Sequence, residues 1–118
     1  MKESILHEKT LQFAADIVIF YEKFLLLKKD NTIAKQLIRS ATSIGANLNE
    51  ATYGNSKADF ISKLHIALKE CSESLYWLKL IDKVGYGIEN VNNLINECEE
   101  IKAMLIKSIN TAKSKCDD

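Results

Sequence analysis

The side chains in this sequence that could do chemistry are few and poorly spaced for it. Two histidines, three cysteines and the Glu70-x-x-Glu73 pair are the main candidates for ligands, nucleophiles or acid–base groups. A di-iron centre held between helices uses Glu-x-x-His pairs, because that spacing sets carboxylate and imidazole on one helical face. No such pair occurs here; the nearest is Glu3 with His7, four apart and close to the chain start. Glu70 and Glu73 do share a face, but Lys63 and Lys69 lie near them. Ion pairs at an interface are therefore expected there, not acid–base or metal work. His65 falls among Ser72 and Lys83 on a helix flank, a surface position. There is no Gly-rich phosphate loop, no G-x-S-x-G and no H-E-x-x-H. The expectation is a protein without catalytic residues, cofactor or metal. Cys71, Cys98 and Cys116 are an odd number with no Cys-x-x-Cys pair, which argues against a disulfide or zinc framework. Cys71 and Cys98 fall on apolar faces, where a buried thiol acts as a small hydrophobe.

The elements that would carry these residues are helices. The chain has 118 residues, four glycines and no proline, with 47 % hydrophobic and 27 % charged residues. That length suits one domain, residues 1–118, and the scarcity of turn formers argues against a β-sandwich or a loop-rich enzyme. Polar or glycine breaks fall at Lys29–Thr32, Gly54–Ser56 and Gly85–Gly87. Between them apolar residues recur every three or four positions, which predicts helices near 4–28, 33–53, 57–84 and 90–113. Ser56 and Asp59 form a capping box for the third helix, and Asn90 can cap the fourth. Each helix should run roughly 30–42 Å, and short connections fold each back on its predecessor. The expected fold is all-α, an antiparallel up-down-up-down four-helix bundle.

The expected core stripes run Leu6, Phe13, Ile17, Phe20, Phe24 and Leu27 on the first helix, and Ile33, Leu37, Ala41, Ile44 and Leu48 on the second. The third offers Phe60, Leu64, Ala67, Leu68, Cys71, Leu75 and Leu78, and the fourth Val91, Leu94, Cys98, Ile101, Leu105 and Ile109. Apolar residues off these stripes carry more information. Ile66, Trp77 and Ile81 map to a second face of the third helix, beside Lys63, Glu70 and Glu73. Val18, Ile19, Leu25 and Leu26 widen the apolar surface of the first helix to nearly its whole circumference. A lone bundle would leave much of this in water, so a homo-oligomer is expected.

The second helix contains the run Ser40 to Ala46, almost all small residues and including Gly45, as if another helix must approach it closely. Away from its core stripe, Arg39, Ser43, Asn47 and Glu50 form a polar line that holds the chain's only arginine. Either a hydrogen-bonded network between helices or subunits, or a ligand-facing strip, would explain it. In the network reading Arg39 and Glu50 could neutralise each other across an interface.

Basic and acidic groups balance at 16 each. They are unevenly spread, however: residues 23–69 hold eight basic groups against Asp30, Glu50 and Asp59. A basic middle suggests an anionic partner. Charges interrupt every apolar run near the N-terminus and in Ile17–Leu27, so neither a signal peptide nor a membrane span is expected, and the chain should be cytoplasmic.

The stretch from Gln36 through Arg39-Ser40-Ala41-Thr42-Ser43-Ile44-Gly45-Ala46-Asn47 to Glu50-Ala51, followed by Ser56–Phe60 and by Ile66–Glu70 through Glu73 to Trp77-Leu78, resembles a bacterial four-helix-bundle family. Its members include proteins encoded in intervening sequences of 23S ribosomal RNA genes. The resemblance spans about residues 33–84; the chain departs from the pattern at Ala41 and Ala51, where glycine occurs in other members. The resemblance implies a ring, five subunits being the expected number, with a fold similar to the accessory protein of diversity-generating retroelements, which binds nucleic acid. It brings no enzymatic activity. The interface it implies, together with the periodicity, comprises Arg39, Ser43, Asn47, Glu50, Ile66, Glu70, Glu73, Trp77 and Ile81.

Three functions compete on this reading. The leading one is a non-enzymatic oligomer that contacts RNA or DNA through Lys28, Lys29, Lys35 and Arg39, with Lys57, Lys63 and Lys69 as further candidates. The second is a scaffold for a protein partner. A small enzyme or metal protein comes last.

Overall fold

The computed structural model describes residues 2–27 and 32–116, with side chains over 5–27 and 32–115. Four helices follow one another: α1 (Lys2–Leu27), α2 (Thr32–Thr52), α3 (Lys57–Val84) and α4 (Val91–Cys116). Each boundary lies within three residues of its expected position. Local chemistry explains the ends of α3. Ser56 is the N-cap, its hydroxyl accepting from Asp59 N at 3.1 Å. Gly85 closes the helix in the left-handed region at φ 75°, a conformation that costs glycine no Cβ clash, and donates its N–H to Ile81 O. Asn90 also sits at positive φ, and its side chain accepts from the Asn93 amide while its carbonyl starts α4 by accepting from Leu94 N.

The helices form an antiparallel bundle of 52 × 22 × 20 Å in which each packs on its sequence neighbours and α4 returns to α1. Among the described residues the diagonal pairs, α1 with α3 and α2 with α4, have no close backbone approach. The most extensive packing is between α2 and α3, where the small, buried Ser40 and Ser74 meet with no bulk to hold the backbones apart. On the other side of α2, a Cβ at Gly45 would lie 3.3 Å from Thr10 Oγ1 of α1. The small run of α2 thus admits close neighbours on two sides, from within its own subunit.

Phe13, Ile17, Phe24, Leu37, Ile44, Leu64, Leu78 and Leu105 fill the core, and all four expected stripes contribute. Each large side chain so buried stabilises the fold by roughly 1.5–3 kcal/mol. Ile33, Phe60 and Leu68 are only half-buried. Leu27 departs from its stripe and is 63 % exposed. Tyr86, from the α3–α4 connection, covers Phe24 edge-on with ring centroids 5.1 Å apart, and Leu27 lies one turn beyond that cover. Cys71 and Cys98 face each other across α3 and α4 as free, fully buried thiols, their sulfurs 3.7 Å apart. Hydrogen bonding to Cys71, then burial, pushes the Cys98 thiol well above its ordinary range. No helix among the described residues is long and apolar enough to cross a membrane.

Candidate functional site

The outward face of the α2–α3 pair gathers most of the expected interface residues. Register brings them together: Arg39 stands in the first half of α2, and antiparallel packing sets it opposite the second half of α3. Its guanidinium donates to Glu73 Oε2 at 3.2 Å and lies 3.6 Å from Glu70 Oε1. Ser43 donates its hydroxyl to Arg39 O at 2.7 Å, and Asn47 donates to Ser43 O at 2.8 Å. These bonds stitch the polar line of α2 to its own backbone. Further along, Lys63 holds Glu50 at 3.1 Å. Within the subunit, Arg39 and Glu50 thus have carboxylate and lysine partners of their own.

Two carboxylates thus share one guanidinium, with Lys69 close by. Burial raises the Glu70 carboxyl above its ordinary range, helped by its hydrogen bond to Glu73 and by that neighbour's charge, against the pull of Arg39 and Lys69. Glu70 Oε1 accepts no hydrogen bond, and neither does Trp77 Nε1 donate one, although both atoms are buried. Trp77 is half-buried, packs against the core and meets Tyr76 edge-on at 5.2 Å. Gln36, Arg39, Lys69, Glu73, Tyr76 and Trp77 line a shallow hollow of about 460 Å³ on this face.

Ile66 is partly exposed, as expected of an outward apolar residue. Ile81 is not: only 1 % of its surface is accessible, so it belongs to the core and leaves the interface set. Helix α3 is embraced by both α2 and α4, which widens its buried arc beyond one stripe and takes in the flank where Ile81 and Ser74 stand. Of the expected phosphate ligands, Lys35 is exposed, Arg39 is bound to two carboxylates, and Lys28 and Lys29 lie outside the described residues. His65 is exposed, His7 meets Thr52 Oγ1 at 2.9 Å, and no group of three or more His, Cys, Asp or Glu among the described residues is arranged to hold a metal.

Sequence reasoning missed two features. Ser40 and Ser74 form a buried hydroxyl pair at 2.8 Å beneath the Arg39 cluster, which the small-residue run at least hinted at. At the α1–α4 seam Lys9 pairs with Glu100, and the Glu97 carboxyl is pushed up to about 7. Burial is the main cause there, followed by the hydrogen bond to Asp16, and no local pattern announced it.

A four-helix bundle whose outer α2–α3 face is laced by Arg39, Glu70 and Glu73 defines the class. The family described as 23S rRNA-intervening sequence protein matches residues 2–107, and the chain belongs to it. A solved structure from Bacteroides thetaiotaomicron, a protein of unknown function from the S23 ribosomal protein family, is 42 % identical to this chain. Its match covers 93 % of this chain and 99 % of that one, with a TM-score of 0.88. Comparison with curated proteins finds no match.

Proposed function

We propose that the chain is a non-enzymatic module that works as a homo-oligomer, in the ring of five that its resemblance implies. The observation that carries this reading is the outer side of α1. Leu11, Val18 and Leu25 recur every seven residues, with Ile19 and Leu26 beside them, on the side opposite the buried Phe13, Ile17, Phe20 and Phe24. Leu11 is 72 % and Leu26 86 % exposed. Five apolar residues along one outer helix face, with Glu22 among them, exceed the scatter of single surface hydrophobics, and a second copy offers a self-complementary cover. The Arg39 face is the second contact surface, polar and built on Ile66 and Trp77. Light scattering coupled to size exclusion tests the reading. A mass near five subunits supports it, and a monomer at working concentration overturns it.

Contact with RNA or DNA is the task we assign to the assembly. Lys35, Lys57 and Lys69 are exposed and have no salt-bridge partner among the described residues, so copies around a ring would present repeated free cations to phosphates. Arg39, engaged by Glu70 and Glu73, drops out of this role. Filter binding of structured RNA should show retention that falls steeply with salt. No retention at low salt would leave a scaffold for a protein partner as the remaining role.

A further inference from the structure

The end of the bundle far from Trp77 carries a cavity of about 510 Å³, within the range of roughly 300–1,000 Å³ typical of small-molecule sites. It opens between the N-terminal turns of α1 and α3 and the last turns of α4. Its floor is core: Leu6, Leu48 and Leu64 are buried, and Ala112 is too short to fill the space above them. Phe60 and Met104 form half-buried walls. The rim differs. Lys57, Lys107 and Lys115 are exposed, have no ion-pair or hydrogen-bond partner among the described residues, and face a lining without a single acidic side chain.

We infer that this cavity binds a free anionic single-chain amphiphile of the fatty-acid type. Its tail would lie on Leu64, Phe60 and Met104, and its carboxylate would sit among the three lysines. Two chemical requirements meet at this place only for such a molecule. The apolar floor gives water few hydrogen-bond partners, so filling it with a hydrocarbon chain is favourable. Three unpaired ammonium groups at the mouth favour a charge-assisted contact with an anionic head. A compact inorganic anion would leave the floor wet, and a neutral hydrocarbon would gain nothing from the rim. A bilayer face is a poorer fit, because the mouth lies between helices and accepts one chain.

Calorimetric titration of the assembled full chain with monomeric dodecanoate, dodecanol and dodecyltrimethylammonium tests this directly. Dodecanoate should bind saturably at one per subunit. Dodecanol should bind about tenfold or more weaker, and the cation not at all. Lys57→Gln combined with Lys107→Gln should weaken dodecanoate by about tenfold or more while leaving dodecanol unchanged. Met104→Trp should block the cavity for both. Leu26→Lys, on the outer strip of α1, should leave dodecanoate binding intact whatever it does to assembly, which separates this inference from the oligomer reading. Equal binding of all three amphiphiles would overturn the inference. So would dodecanoate binding that survives the double lysine variant, and so would no saturable binding.

Discussion

Ser40 and Ser74 meet hydroxyl to hydroxyl, 2.8 Å apart, between α2 and α3, with neither side chain reaching water. Each also has a backbone acceptor on its own helix, Leu37 O for Ser40 and Glu70 O for Ser74. Ser40→Ala should therefore cost about 1 kcal/mol, since Ser74 keeps one partner. The Ser40→Ala/Ser74→Ala double variant should cost less than the two single changes added together. Ser40→Val should cost about 2 kcal/mol, because its methyls would wedge the two backbones apart. Urea unfolding at one fixed chain concentration measures all three.

Gly45 gives a second packing test. Replacing it with alanine gains helix propensity of up to ~1 kcal/mol, but the new Cβ meets Thr10 Oγ1 at 3.3 Å. In the parent chain the two effects should nearly cancel. In a Thr10→Ala background the 3.3 Å contact is removed and the nearest remaining atom, the Cβ of residue 10 at 3.4 Å, is at ordinary van der Waals distance, so Gly45→Ala should stabilise by up to ~1 kcal/mol relative to Thr10→Ala alone. Thermal melts of the four variants decide it.

On the outer side of α1, Leu11→Lys with Leu26→Lys changes two side chains that the isolated subunit leaves largely in water. Helical circular dichroism should be unchanged and the light-scattering mass should fall to that of one chain. Retention of the parental mass would move the assembly contact to the Arg39 face.

Glu97 sets a pH dependence whose sign can be worked out. Unfolded, its carboxyl titrates near the ordinary 4.5; folded, burial and then Asp16, with Glu100 adding charge, hold the proton to about 7, while Lys9 opposes them. Between those values the native state binds more protons than the unfolded one, so the contribution of Glu97 to stability falls as pH rises from about 4.5 to about 7. Glu97→Gln, uncharged throughout, should flatten this slope and raise the melting temperature at pH 8, with little change at pH 4.

Helix spans were legible from periodicity and from Ser56 and Gly85, because both signals are local. The core was legible along α2 and α4, where the buried apolar residues keep to one stripe that both neighbouring helices share. Ile81 was misplaced because its burial depends on how far α2 and α4 wrap around α3, which no single stripe records. The Arg39 cluster was half legible. Its residues stood out as a polar line and a second face, but Arg39 lies 34 positions from Glu73, and pairing across that distance depends on helix register. Glu97 gave no signal, since Asp16 reaches it only once α4 has closed back on α1.

The facing sulfurs of α3 and α4 make the molecule its own reporter. Cys71 and Cys98 are both sealed from solvent, and each thiol points to the other's carbonyl at 3.4 Å. A thiol-reactive dye has no route to them while the two helices stay zipped, so its rate of attachment at those positions times the parting of α3 from α4. The same pair of atoms thus offers a clock for the least visible motion of the bundle, with no label engineered in.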